Sequence, residues 1–105
     1  MLLSAVAVMT ATGFCALAET RAVSDAEALA IARKHCVMCH AQKPVHQAFQ
    51  QAPKDVALET VADLRKYTAL IYLTTVENRS MPLGTQTHMT EAERAALGRW
   101  AKAAP

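Results

Sequence analysis

The chain has 105 residues, of which 52% are apolar and 19% are charged, and its formal net charge is +2. This length allows one ordinary domain at most, and the composition excludes an intrinsically disordered chain. No basic cluster or basic stripe interleaved with aromatic residues is present, which argues against a nucleic-acid partner. The few aromatic side chains, 5% of the residues, hint that something other than side chains fills the centre of the domain.

Residues 1–18 contain no charged side chain and end in the small-x-small sequence Ala16-Leu17-Ala18. This pattern is typical of a cleavable signal peptide, although the positive charges that usually precede the apolar run are missing. The same run has the minimum length of a membrane span. We therefore expect a signal peptide or membrane anchor at 1–18, and a domain at 19–105 outside the cytoplasm.

Three helix starts show the capping-box pattern, in which a Ser or Thr is followed three residues later by an acidic side chain. The pairs are Ser24/Glu27, Thr60/Asp63 and Thr90/Glu93. Apolar residues recur at spacings of three and four after each pair, and no convincing period-two strand pattern is found. The sequence therefore predicts an all-α fold with three main helices.

The connections between these helices are long. Residues 41–59 contain two prolines and show no clean period, and residues 78–89 contain the sequence Met81-Pro82-Leu83-Gly84. Irregular segments of this length are unusual in a compact domain unless they wrap something. We expect both loops to need a partner that orders them.

Cys36, Cys39 and His40 form the sequence C-x-x-C-H, which is the attachment signature of a c-type haem. Cysteines at i and i+3 lie on one face of a helical turn, so both sulfurs can reach the vinyl groups of one porphyrin. The histidine that follows can bring an imidazole nitrogen under the iron. The motif predicts one covalently attached haem.

Two other interpretations of the cysteine pair exist. A thioredoxin-like redox pair would need a βαβ context, which the pattern does not predict. A zinc site would need Cys36 and Cys39 to recruit distant histidines such as His46 or His88.

Met81 is the favoured sixth iron ligand because it lies 41 residues after His40, in a loop stiffened by Pro82. The alternatives are Met38 inside the motif, Met89 before the last helix, and the loop histidines at 46 and 88; Met81 could also be a core residue. His/Met ligation leaves no open iron position, which indicates electron transfer. An empty sixth position would instead indicate a haem-based peroxidase or a small-ligand sensor.

The order helix, C-x-x-C-H, helix, Met-Pro loop and capped last helix resembles the class I cytochrome c family from Ser24 to the end of the chain. The resemblance implies thioether bonds at Cys36 and Cys39, axial ligands His40 and Met81, and loops wrapped around the haem. It also implies that the first and last helices cross, with a contact formed by Leu29, Ala30, Leu97, Gly98 and Trp100.

A narrower likeness involves the runs His35–His40, Lys43–Phe49 and Ser80–Gly84, followed by Met89-Thr90-x-x-Glu93-Arg94. These resemble the C-terminal cytochrome c domain of the membrane-bound bacterial urate oxidases (urate hydroxylases). The likeness implies a periplasmic electron carrier, soluble or anchored by residues 1–18, that exchanges electrons with redox proteins. A urate-oxidising membrane domain would be one donor, and this chain itself would not be the enzyme.

Two further side chains have expected partners. A ligating imidazole usually donates its second N–H to a carbonyl or carboxylate, and for His40 the carbonyls of residues 44–53 are candidates, with that of Pro53 marginally preferred. Arg79, beside Met81, could pair with a haem propionate or remain a solvated loop charge.

Overall fold

The computed structural model describes residues 4–7, 21–84 and 86–104. Helices account for 49% of this part of the chain, and it contains no strand, which confirms the all-α prediction. The prediction for residues 1–18 falls mainly outside the described residues, and residues 4–7 have no regular secondary structure. None of the described helices is long and apolar enough to cross a bilayer.

Four α-helices and two shorter helical turns make up the described fold. In chain order they are α1 (Asp25–His35), a 3₁₀ turn (Pro53–Asp55), α2 (Val61–Lys66), α3 (Thr68–Tyr72), a π-helical turn (Leu73–Glu77) and α4 (Glu91–Ala103). The predicted second helix is therefore present as α2, α3 and the π-helical turn. The long connections at 41–59 and, in their described residues, 78–84 and 86–89 are irregular apart from the 3₁₀ turn.

All three predicted helix starts are confirmed. Thr60 and Thr90 form complete capping boxes with the acidic residues three positions later. Ser24 also caps its helix, because its Oγ accepts a hydrogen bond of 3.1 Å from the backbone N–H of Glu27. The expected return bond is not made there, since both carboxylate oxygens of Glu27 accept hydrogen bonds of 2.9 Å from Arg21. The first capping box is therefore only half formed.

The second helix changes its winding where two threonines occur in succession. The Thr74 hydroxyl donates to the Leu70 carbonyl at 2.9 Å, and the Thr75 hydroxyl donates to the Ile71 carbonyl at 2.7 Å. Such bonds compete with the backbone ladder and bend a helix. The helix then closes with an i→i−5 bond, in which Asn78 N–H donates to the Leu73 carbonyl at 2.9 Å.

Helices α1 and α4 pack against each other in opposite directions. At one end the Trp100 indole N–H donates to Asp25 Oδ1 at 2.9 Å, and at the other His35 Nε2 lies 2.9 Å from Glu93 Oε2. Each hydrogen bond joins the start of one helix to the end of the other. The expected contact between the first and last helices is therefore present.

Two of the residues expected in this helix contact lie elsewhere. Ala30 is exposed on α1. Gly98 faces the π-helical turn, because a Cβ atom at this position would lie only 2.5 Å from Val76 Cγ2. Leu97 and Trp100 are buried in the core, and Leu29 packs against it. Because Gly98 has no side chain, α4 can pack close to the π-helical turn.

The hydrophobic core combines four alanines with six larger apolar side chains. Its buried members are Ala28, Ile31, Ala32, Leu58, Leu64, Ile71, Ala96, Leu97, Trp100 and Ala101. Leu64 and Leu97 are the largest side chains among those that are almost completely buried. Leu58, Leu64, Ile71 and Leu97 of this core also line a cavity.

Candidate cofactor site

The cavity has a volume of about 370 Å³, which lies in the range of small-molecule and cofactor sites. Its wall brings together Cys36, Cys39 and His40, which follow α1, and Met81 from the loop before α4. The lining is mostly apolar. Among the described residues no Asp or Glu lines the cavity, and Lys54 is the one lining side chain with a permanent charge.

The cysteine motif continues α1 as a tight turn. The N–H of Cys36 donates to the Ala32 carbonyl at 2.7 Å, and the carbonyl of Cys36 accepts bonds from the N–H groups of Cys39 and His40 at 3.3 and 2.8 Å. Both cysteines are free thiols. Burial raises the pKa of the Cys36 thiol to about 11 and also raises the pKa of Cys39. Both sulfurs are therefore protonated thiols at neutral pH.

The imidazole of His40 is held by the loop that precedes α2. Its Nδ1 lies 2.8 Å from the carbonyl oxygen of Val56, and the His40 carbonyl accepts a 2.8 Å bond from the N–H of Leu58. A carbonyl can only accept, so Nδ1 carries the hydrogen and Nε2 of the neutral ring keeps its lone pair. The preferred expected partner, the Pro53 carbonyl, is therefore wrong. The partner is the Val56 carbonyl, three residues later, because the 3₁₀ turn at Pro53–Asp55 places Val56 next to the imidazole ring.

Met81 is held through its backbone. Its N–H donates to the Thr74 carbonyl at 3.0 Å, and its carbonyl accepts a 2.8 Å bond from Arg94 Nη1. The same Nη1 donates to the Thr75 carbonyl at 2.7 Å. The carbonyls at the π-helical turn thus position the methionine loop, with Arg94 as the link. Sequence reasoning missed Arg94, since a residue on α4 gives no local signal of partners 13 and 19 positions away.

The other ligand candidates are placed differently. Met38 and Met89 also line the cavity, whereas His88 is exposed and is not in its lining. His46 lines the cavity, but its Nδ1 accepts a 3.0 Å bond from the Ala48 N–H. Its Nε2 therefore carries the hydrogen and donates to Gln86 Oε1 at 3.1 Å. Both ring nitrogens of His46 are thus engaged.

Arg79 does not reach the cavity. Its guanidinium forms an ion pair with Glu91 at the start of α4. Arg79 remains exposed, as expected for a solvated loop charge, and its pairing with a haem propionate stays a prediction.

The described part of the chain offers no support for the two other interpretations of the cysteine pair, a zinc site and a thioredoxin-like redox pair. No cluster of three or more His, Cys, Asp or Glu side chains there is arranged to hold a metal ion. The strands of a thioredoxin-like context are likewise missing from these residues.

No family model, curated protein or solved structure matches this chain. The likeness to cytochrome c therefore rests on the motif residues alone, and the functional argument rests on the geometry of the cavity.

Proposed function

We propose that this chain is a monohaem c-type cytochrome of class I that carries single electrons between redox proteins. One haem c would be attached through Cys36 and Cys39, with His40 and Met81 as its axial ligands. The observation that carries the proposal is that four such residues, from two segments 41 positions apart, line one cavity. We do not propose an enzymatic activity for the chain.

The residues of the cavity fit this cofactor chemically. Two free thiols lie on one turn, which is the arrangement that thioether attachment needs. Nε2 of His40 is left with a lone pair because Nδ1 donates to the Val56 carbonyl, and such a second hydrogen bond also makes the imidazole a stronger ligand. The thioether of Met81 is a soft sulfur ligand on a loop whose backbone is fixed on both sides.

The lining also fits the polarity of the cofactor. An apolar wall suits a porphyrin ring, and Lys54 offers a positive charge for an ionised propionate. The absence of acidic side chains from the described lining avoids repulsion of those carboxylates. The bound haem supplies one-electron redox chemistry, and His/Met ligation leaves no iron position open for oxygen or peroxide.

We propose that the domain at 19–105 works on the periplasmic side, soluble or held at the membrane by residues 1–18. Its partners would be an electron donor and an electron acceptor, and a urate-oxidising membrane domain would fit as the donor. The support is the apolar run at the N-terminus and the likeness of the motif segments to urate oxidase tails. A separate experiment tests this part: the matured chain is mixed with membranes that contain a urate-oxidising enzyme, and we expect its haem to be reduced when urate is added.

The experiment that tests the haem assignment is expression of the full chain with a c-type haem maturation system. We expect a reduced-minus-oxidised spectrum of c-type haem, and haem that stays on the chain after denaturation. The Cys36→Ala/Cys39→Ala double variant should lose the attached haem, whereas His88→Gln, at an exposed loop histidine, should keep it. A matured chain that is compact and free of iron tetrapyrrole would overturn the proposal.

A further inference from the structure

The two long connections of the fold are joined by a side-chain contact that the proposed ligand set does not use. His46, in the connection at 41–59, and Gln86, in the connection at 78–89, both line the cavity. His46 Nε2 donates to Gln86 Oε1 at 3.1 Å. Among the described residues this is the one hydrogen bond between the two connections. We call this pair the clasp.

The histidine side of the clasp is held in place by its own loop. The backbone N–H of His46 donates to the Met38 carbonyl at 3.1 Å, and its carbonyl accepts a 3.2 Å bond from the N–H of Phe49. The Phe49 ring packs against the imidazole, with the two ring centroids 5.6 Å apart. Because the Ala48 N–H donates to Nδ1 at 3.0 Å, the ring already carries its hydrogen on Nε2. The donor of the clasp is therefore preorganised.

The glutamine side belongs to a loop with few other fixed points. Met81 is fixed through its backbone, and the loop ends at the capped start of α4. Between these two points, Gln86 makes the one side-chain hydrogen bond found in the described residues 82–84 and 86–89. Leu83, in the same stretch, is 56% exposed. The clasp is therefore the polar contact that holds the middle of this loop against the opposite wall of the cavity.

We infer that His46 and Gln86 are positioning residues that hold the Met81 loop closed over the cavity, so that breaking their hydrogen bond controls how often added small ligands reach the sixth iron position. The inference rests on the proposed function. The clasp acts through the loop that carries Met81 and does not itself supply an iron ligand. A closed loop keeps the thioether in one position and keeps water out of the apolar cavity.

The strength of the clasp follows from its surroundings. The imidazole accepts one hydrogen bond and donates the other, so both partners of the clasp are neutral, and the bond is exposed to solvent. A neutral hydrogen bond makes only a modest net contribution, since water replaces it when it breaks. We expect its loss to raise the population of the open loop about fivefold. This factor equals about 1 kcal/mol at 1.4 kcal/mol per tenfold.

The first test measures how fast imidazole binds to the oxidised, matured full chain, followed by absorption spectroscopy. Met81 occupies the sixth position in the proposed function, so imidazole binds only after the loop has moved away. Gln86→Ala and His46→Phe each remove the hydrogen bond, and both should bind imidazole about fivefold faster than the wild type. Gln86→Glu keeps an acceptor for the Nε2 hydrogen and should bind it no faster than the wild type. Gln50→Ala, at an exposed glutamine outside the cavity lining, is the matched control.

The double variant shows whether the two side chains act through one bond. His46→Phe/Gln86→Ala should bind imidazole as fast as either single variant, because the second substitution has no bond left to remove. Single variants that bind at the wild-type rate overturn the inference. Rates that multiply in the double variant also overturn it, since the two side chains would then act independently.

Amide hydrogen exchange gives a second measurement, which does not need the haem. At residues 83–84 and 86–89 we expect exchange about fivefold faster in Gln86→Ala than in the wild type, with unchanged exchange in α1. Equal exchange in the loop overturns the inference. Either failure, on a protein with a normal c-type spectrum, leaves the proposed electron-carrier function intact. A missing haem spectrum refutes that function instead, and the exchange comparison still tests the clasp.

Discussion

Arg94 Nη1 lies 2.8 Å from the carbonyl oxygen of Met81 and 2.7 Å from that of Thr75, so one guanidinium joins the methionine loop to the π-helical turn. This link is part-buried, and the Nε atom of the same side chain is buried as well. The position of the proposed sixth ligand therefore depends on a residue of α4 that does not itself line the cavity.

Replacement of Arg94 should loosen the proposed ligand without removing it. Hydrogen bonds from a charged donor contribute about 1.5–3 kcal/mol each, so we expect Arg94→Met to lower the free energy of unfolding by about 2 kcal/mol. The reduced variant should also bind carbon monoxide, because the Met81 backbone is no longer fixed. Arg33→Met, at an exposed position on α1, is the control. A variant that excludes carbon monoxide as fully as the wild type would show that Arg94 does not hold the ligand loop.

Three methionines line the cavity, and substitution distinguishes the proposed ligand from the other two. Met81→Ala should lower the reduction potential on the order of 0.1 V, since axial ligands set haem potentials over a range of about 0.8 V. It should also open the iron to carbon monoxide. Met38→Ala and Met89→Ala should keep the closed iron position. Absorption spectra of the reduced variants with carbon monoxide test this prediction. If the Met81→Ala variant does not bind carbon monoxide, another residue is the sixth ligand.

Gly98→Ala should destabilise the protein even though alanine favours helix. The helix propensity gain is about 1 kcal/mol, but the new methyl group would lie 2.5 Å from Val76 Cγ2. Overpacking of this kind costs about 1–3 kcal/mol, so we expect a net loss of about 1 kcal/mol in denaturant unfolding. In a Val76→Ala background the same substitution should become neutral or stabilising. Equal effects in both backgrounds would mean that Gly98 does not contact the π-helical turn.

The Glu93 carboxylate should make stability depend on pH in the acid range. Burial alone would raise its pKa, but hydrogen bonds from Thr90 and His35 outweigh it and lower this pKa from 4.5 to about 2 in the folded protein. A lowered folded-state pKa contributes stability that is complete above the unfolded value and is lost as pH falls through the folded one. We therefore expect the free energy of unfolding to fall between pH 4.5 and 2, and to fall less steeply in Glu93→Gln. Glu77→Gln, at an exposed glutamate of the π-helical turn, is the control.

The helix starts could be predicted from the sequence because each depends on hydrogen bonds between residues three positions apart. Thr60 and Thr90 needed no tertiary contact to be recognised as caps. Ser24 shows the limit of this reasoning. The Glu27 carboxylate could accept a hydrogen bond from the backbone N–H of Ser24 or from Arg21, and in the structure both of its oxygens bind the Arg21 guanidinium, which lies outside the helix.

The partners of the candidate site could be predicted only in part. That His40 needs an acceptor for its second nitrogen follows from general chemistry, but the choice of Val56 over Pro53 depends on how the 3₁₀ turn folds. The same holds for Gly98, whose residue type suits a helix crossing. That it faces Val76 depends on where the π-helical turn lies against α4.

The sequence by itself determined the all-α class, the three capped helix starts and the spacing that places two thiols and an imidazole on one turn, because these are local properties of a few consecutive residues. Only the tertiary structure decided that Arg94 would hold the Met81 loop and that His35 would meet Glu93. Those contacts join residues 13 and 58 positions apart. Their geometry is set by the packing of α1, the π-helical turn and α4, which no local pattern encodes.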